Sequence, residues 1–125
     1  MDKKILLVSL AVMLSVTVFS QQTKSLELIW KSKYDNAAKA IEKGLSKNVD
    51  DVEVNFYKAY LLFQREYEGY DPVQSYKCLQ TCLDYYPQLD DKTKDKLSTV
   101  PMNPEIFNNY IDTVCRLALK DAIKA

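Results

Sequence analysis

The 125-residue chain carries 17 basic and 17 acidic side chains, so it has no net charge with which to attract nucleic acid. It contains no histidine, which removes the commonest general base and the commonest metal ligand. Two glycines and four prolines are too few for a fold with many tight turns, and 47% of the residues are hydrophobic. These values predict one domain without a many-stranded sheet. The helical periodicity of the chain predicts that it is all-α, and because the sequence has no glycine-rich phosphate loop and no Gly-x-Ser-x-Gly elbow, we expect neither an enzyme nor a bound cofactor.

The first twenty residues have the pattern of a secretory signal peptide. Lys3 and Lys4 precede an apolar run over residues 5–19, and Val18 and Ser20 stand where a signal peptidase requires small side chains. The run is shorter than the roughly twenty residues that span a bilayer, which favours a cleaved signal peptide. The alternative is that the segment stays uncleaved and anchors the protein. We therefore predict an exported protein, periplasmic or secreted. In this prediction residues 1–20 are removed, and residues 21–125 form the domain, which is expected to have no stable membrane span.

A first helical hairpin is predicted over about residues 24–47. Leu26, Ile29 and Trp30 share one face of its first helix, and a break follows at Tyr34 and Asp35, with Asp35 as the N-cap of the second helix. A glycine inside that second helix costs about 1 kcal/mol relative to alanine, which predicts close approach of another helix backbone. The residues predicted to form its buried face are Ala37, Ala38, Ala40, Ile41, Gly44 and Leu45.

A second hairpin is predicted over about residues 52–86. Its first helix is expected to run to Glu66, and its second helix begins at Pro72, after a turn that contains Gly69. Asp50 and Glu53 form a D-x-x-E pattern typical of a capping box at the start of this hairpin. The apolar stripe of the first helix consists of Phe56, Ala59, Tyr60 and Phe63.

The remainder of the chain is predicted to be a connector followed by a long helix. Residues 88–103 are polar and rich in lysine, and they form either a short exposed helix or an irregular segment. Asn103, Pro104 and Glu105 then supply a cap, a first-position proline and a first-turn acid for a helix over residues 104–124. This helix is expected to pack on the second hairpin and close the core.

The two hairpins repeat one pattern of side chains. The same 38-residue offset relates Ala37, Ile41, Gly44 and Val49 to Ser75, Leu79, Cys82 and Pro87, respectively. This pattern resembles the tetratricopeptide repeat, a 34-residue helix-turn-helix unit, over about residues 24–87. The resemblance implies an all-α fold of stacked helix-turn-helix hairpins, a fragment of an α-solenoid, with Ala59 as the small residue of the next first helix and Pro87 as the closing proline.

In that family, the first helices of successive units line a concave groove that binds peptides or folded proteins. The resemblance therefore implies a protein–protein interaction or scaffold module with a peptide or protein partner. The alternative is that the same aromatic side chains form the core of so short an array. By register, the candidate partner groove consists of Glu53, Phe56, Tyr60, Phe63 and Gln64, with Leu26, Ile29 and Trp30 beside them.

Two features of the chain leave its assembly and thiol state open. The last helix either caps the array, continues into a longer repeat protein of structural role, or forms a homodimer through Leu117, Leu119 and Ile123. The number of cysteines is odd, so at least one thiol is unpaired, and whether the other two form a disulfide stays open. Without histidine they make a poor zinc site, and we interpret Cys82 as filling a small position in the core, with Cys78 and Cys115 unassigned.

Glycan binding is the alternative function. The chain has nine tyrosines, and exposed aromatic rings can stack on sugar faces while their hydroxyl groups bond to sugar hydroxyls. Four of the tyrosines fall near the turn and the end of the second hairpin: Tyr67, Tyr70, Tyr85 and Tyr86. The paired acids Asp50–Asp51 and Asp90–Asp91 are interpreted as helix caps and not as a catalytic pair.

Overall fold

A computed structural model describes residues 25–100 and 102–124, and all regular structure within these residues is helical. The all-α prediction is confirmed for this part of the chain, whereas the predicted signal peptide at residues 1–20 lies outside it. None of the helices described is both long and apolar enough to cross a membrane. The helices are α1 (residues 25–30), α2 (Tyr34–Lys47), α3 (Val52–Leu62), α4 (Pro72–Tyr85), α5 (Asp91–Ser98) and α6 (Pro104–Lys124), with a 3₁₀ turn at Tyr86–Gln88.

Side-chain caps fix where four of these helices begin. Asn103 accepts a hydrogen bond from the Ile106 amide at 3.0 Å, so its predicted capping role is confirmed. Asp51, and not Asp50, caps α3, because its Oδ1 accepts from the Val54 amide at 2.9 Å. The two other side-chain caps are Asp71 for α4 and Asp90 for α5.

The break between α1 and α2 differs from the prediction. Ser32 adopts a left-handed conformation with φ of 60°, and the Lys33 amide donates to the Leu28 carbonyl at 2.8 Å. This is a Schellman motif, in which glycine usually takes the left-handed position. Because serine stands there, the sequence carries no stop signal. Helix α2 begins at Tyr34, so Asp35 lies in its first turn and does not cap it.

The first helix of the second hairpin is shorter than predicted. It ends at Leu62, four residues before Glu66, because the chain turns back and the Asp71 amide donates to the Leu62 carbonyl at 2.8 Å. The turn is held by aromatic packing, since the Tyr67 ring lies 5.7 Å from the Tyr34 ring of α2. The segment from 63 to 71 therefore closes the α3–α4 hairpin and also ties it to the first hairpin.

Helix α3 is central to the packing, with α2 on one side and α4 on another, and α4 in turn contacts α6. Two small side chains of α4 touch the backbone of α3 directly. The Ser75 hydroxyl donates to the Ala59 carbonyl at 2.7 Å, and the Cys82 thiol donates to the Val52 carbonyl at 3.3 Å. Larger side chains at either position would push the two backbones apart.

The repeat positions taken from the sequence occupy different environments. Most are in the core, but Val49 and Pro87 are exposed, the latter in the 3₁₀ turn, and Gly44 is half-buried. The buried members are Ala37, Ile41, Ala59, Ser75, Leu79 and Cys82.

Gly44 of α2 faces a side chain of α3, and not the helix backbone that the sequence led us to expect. A Cβ atom added at Gly44 would lie 2.9 Å from Cγ2 and 3.0 Å from Cγ1 of Val54. Valine is branched at Cβ and has little freedom to move aside. The glycine therefore allows α2 and α3 to approach at this point despite its poor helix propensity.

We expect Gly44→Ala to destabilise the protein by about 1 kcal/mol, because overpacking against Val54 exceeds the propensity gain. In a Val54→Ala background the same change should stabilise it by up to about 1 kcal/mol. Urea unfolding of the four proteins of this double-mutant cycle gives both values. The same effect of Gly44→Ala in both backgrounds would show that Val54 is not the obstacle.

Helix α6 is held by residues on its inner face. Phe107 is fully buried and Val114 nearly so, and Met102, just before the helix, is also fully buried. The Phe107 ring lies 5.7 Å from that of Phe56 in α3 and 5.9 Å from that of Tyr86 after α4. Phe107 thus links α6 to both halves of the second hairpin.

Truncation of this anchor should be costly. We expect Phe107→Ala to lower the free energy of unfolding by about 3–5 kcal/mol, since it leaves a large cavity in the core. Ile123, on the same helix, is 76% exposed, so Ile123→Ala is the matched control and should change stability by less than about 0.5 kcal/mol. Equal losses for both variants, measured by urea unfolding, would contradict this account of α6.

Candidate functional site

The aromatic side chains of α3 meet those of α6 in one cluster. The Tyr110 ring lies 5.3 Å from Phe56, 6.0 Å from Tyr60 and 5.5 Å from Phe63. Tyr60 and Phe63 are themselves 5.0 Å apart with their rings nearly perpendicular. Such edge-to-face pairs contribute about 0.5–1.5 kcal/mol beyond the area they bury. The Tyr110 side chain of α6 therefore covers the stripe of α3 that the sequence indicated as a groove, although α6 itself packs on α4.

The candidate groove residues of α3 differ in their exposure. Glu53 and Phe56 are buried, with 7% and 5% of their surfaces exposed, so neither is an open floor for a partner. Tyr60, Phe63 and Gln64 are half-buried, and the Gln64 side-chain amide donates to the Tyr60 carbonyl at 2.9 Å. The sequence predicted that the last helix packs on the second hairpin, but it did not indicate that Tyr110 would cover the aromatic stripe of α3.

Trp30 is the most exposed member of the predicted groove. Its side chain is 68% exposed, yet its Nε1 donates to the Tyr60 hydroxyl at 3.1 Å. This hydrogen bond joins α1 to α3 and gives the indole a defined position. We use the name aromatic surface for Trp30, Tyr60, Phe63 and Tyr110 together.

Charges on the described surface are paired where α1 ends and where the α3–α4 turn meets α6. Lys31 forms an ion pair with Glu27 at 3.3 Å, and Arg65 forms one with Asp121 at 3.1 Å. The Tyr70 hydroxyl also donates to Asp121, at 2.7 Å. Exposed pairs of this kind contribute little stability.

A cavity of about 340 Å³ lies where the start of α3 faces α5. We call it the α3–α5 cavity. Its floor and walls combine carboxylates with aliphatic side chains, and the sequence gave no indication of it because α5 was predicted only as a connector. The cavity is lined by Asn48, Asp50, Asp51, Val52, Glu53, Tyr85, Gln88, Leu89, Thr93 and Leu97.

Glu53 is the buried acid of this cavity. Burial raises the pKa of its carboxyl from the ordinary value of 4.5 to about 7. The hydrogen bond from the Tyr57 hydroxyl, at 3.0 Å, opposes that rise, whereas the charge of Asp51 adds to it. Lys96 of α5 lowers the same pKa, by the smallest of the four contributions. Burial also raises the pKa of Tyr57, whose hydroxyl therefore remains protonated and acts as a donor.

We expect Glu53→Gln to stabilise the protein at pH 8 by about 2–3 kcal/mol, and hardly at all near pH 4.5. In the native protein the carboxyl binds its proton more tightly than in the unfolded chain. The wild-type free energy of unfolding therefore falls as pH rises from 4.5 to about 7, relative to a variant that cannot ionise. Urea unfolding of both proteins between pH 4.5 and pH 8 measures this difference. A difference that does not change with pH would show that Glu53 is not titrating in this range.

The cysteines of the described residues are all unpaired. Cys78 and Cys82 are buried in α4, and burial raises the pKa of both thiols, which keeps them protonated and unreactive. Cys115 is exposed on α6. No group of three potential metal ligands occurs within the part of the chain that the structure describes.

The four tyrosines considered for glycan binding are half-buried, and all of them have neighbours within the protein. Tyr67 packs on Tyr34, and Tyr70 bonds to Asp121. Tyr86 packs on Phe107 with the Lys94 ammonium 5.5 Å above its ring. The charge of Asp50 raises the pKa of Tyr85, which lines the α3–α5 cavity. These rings do not form one open platform.

Comparisons with protein-family models, with curated proteins and with solved structures found no match to this chain. The resemblance to the tetratricopeptide repeat therefore stays a prediction from the residues themselves.

Proposed function

We propose that this protein is an exported helical scaffold that binds an extended segment of a protein partner at the aromatic surface. Export is proposed from the sequence pattern of residues 1–20. In this proposal, the α1–α2 and α3–α4 hairpins stack as tetratricopeptide-like units, and Gly44, which lets α2 approach Val54 of α3, favours that stacking. The partner takes the end of the groove that α6 leaves uncovered.

The observation that carries the proposal is the exposure of Trp30 in a fixed position. A large aromatic ring that is 68% exposed and held by a hydrogen bond loses little conformational freedom when a partner covers it. Tryptophan and tyrosine dominate the binding energy of protein interfaces, particularly beside half-buried apolar neighbours. Tyr60, Phe63 and Tyr110 provide such neighbours.

The chemistry of this surface suits an apolar side chain of a partner. The indole N–H of Trp30 is its only hydrogen-bond donor, and that donor is already used by Tyr60. What the ring offers is therefore an apolar face. Burying an aliphatic or aromatic side chain of a partner against it contributes about 1.5–3 kcal/mol when burial is complete.

The test is affinity capture with the 125-residue chain from the envelope fraction of the cells that produce it, followed by titration with the purified partner. Trp30 is the only tryptophan, so its fluorescence reports directly on the aromatic surface. We expect a blue shift of emission on binding. Trp30→Ala should weaken binding by about 2 kcal/mol or more, which is about thirtyfold.

Val49→Ala is the matched control, because Val49 is 69% exposed and precedes the opposite end of α3. It should leave affinity unchanged. Three results contradict the proposal: a partner that binds Trp30→Ala and Val49→Ala equally, a titration that leaves the tryptophan emission unchanged, or the absence of any enriched protein. The last of these favours the alternative of a purely structural chain.

A further inference from the structure

We propose that the α3–α5 cavity binds an alkylammonium group, presented by a free amine or by a lysine side chain, with the Glu53 carboxylate as its ionic partner. The site lies at the opposite end of α3 from Trp30 and Tyr60. It is independent of the function proposed for the aromatic surface.

Glu53 is buried and also open to the cavity. It is 7% exposed, and Tyr57 is its one hydrogen-bond partner among the described residues. No fully buried side-chain oxygen in that part of the chain lacks a partner. The second carboxylate oxygen of Glu53 therefore keeps access to the cavity, where it can accept a hydrogen bond from a ligand.

The charges around the cavity favour a cation. Asp50, Asp51 and Glu53 all line it, whereas no lysine or arginine does. Lys96 is exposed on α5 and has the smallest of the four effects on the pKa of Glu53. Neither Lys96 nor Glu53 takes part in an ion pair among the described residues. The three acidic side chains thus create a negative site that the protein does not neutralise by direct pairing.

The walls of the cavity favour an organic cation with a short apolar stem. Val52, Leu89 and Leu97 supply aliphatic surface beside the carboxylates. A lysine side chain has this same division, with methylene groups that pack on apolar surface and a charged end. The volume of about 340 Å³ lies at the small end of the range for ligand pockets. Mg²⁺ and Ca²⁺ instead require about six oxygen ligands, and one oxygen of Asp51 is already used to cap α3.

Binding of such a cation depends on the protonation of Glu53. Its carboxyl has a pKa of about 7, with Tyr57 and Asp51 of α3 and Lys96 of α5 as the groups that act on it. An ammonium group favours the ionised form, so the ligand should lower this pKa. An alkylammonium keeps its charge at neutral pH, since its pKa is about 10.4, as in lysine. Affinity should therefore rise between pH 6 and pH 8 as the carboxyl ionises.

The test is titration of the isotope-labelled 125-residue chain with n-butylammonium chloride at pH 8, followed by NMR. We expect saturable shifts confined to the segments that line the cavity, which are residues 48–53, residues 85–89 and α5, with affinity falling at pH 6. Glu53→Gln should weaken binding about tenfold or more, because it removes a charge-assisted hydrogen bond. Far-UV circular dichroism checks that the variant stays folded.

Glu42→Gln is the matched control, because Glu42 is exposed on α2 and does not line the cavity. It should bind n-butylammonium as the wild type does, and n-butanol should not bind. A peptide containing one lysine distinguishes the sources: tighter binding than n-butylammonium indicates a protein partner, and weaker binding indicates a free amine. Equal binding by Glu53→Gln and wild type, equal shifts with n-butanol, or no saturable shift would overturn the proposal.

Discussion

The close contact between α3 and α4 is the constraint on which the other helices depend. Ser75 places its hydroxyl on the Ala59 carbonyl at 2.7 Å, and Cys82 places its thiol on the Val52 carbonyl at 3.3 Å. Both side chains are fully buried, so each backbone contact also satisfies a polar group that would otherwise be costly. Helix α2 packs on α3 and α6 packs on α4, so this pair sets the position of both.

The position of α6 determines what surface the protein offers. Phe107 enters the core beside Phe56, and Tyr110 then covers the middle of the aromatic stripe of α3. Tyr110 thereby covers part of the stripe that the sequence predicted as an open groove. What remains exposed lies at the two ends of the stripe: an apolar aromatic surface around Trp30, and an acidic cavity at Glu53. The aromatic surface adjoins Tyr110 of α6, whereas the cavity is formed by the start of α3, the end of α4 and α5.

Glu53 shows that this fold is not arranged for stability alone. A carboxyl whose pKa is raised to about 7 by burial opposes folding at neutral pH, and a glutamine could accept the same hydrogen bond from Tyr57 without a charge. Ionisable groups held at such a cost tend to lie at functional sites. In the cation-binding proposal the cavity beside Glu53 gives that cost a use, because an incoming cation would stabilise the buried carboxylate.

The sequence by itself determined that the described residues are helical and roughly where most helices lie, although it extended α3 to Glu66 and left α5 open between a helix and an irregular segment. Apolar spacing, the cap at Asn103 and the prolines at the starts of α4 and α6 act over one or two turns, so they can be read without knowing what packs where. It did not indicate the left-handed Ser32 or the facing of Gly44 by Val54, since neither has a local signature. Only the tertiary structure decided that Tyr110 covers Phe56, that Trp30 stays exposed and that Glu53 is buried beside α5. Those outcomes depend on contacts between residues far apart in the chain, which the periodicity of any one helix does not contain.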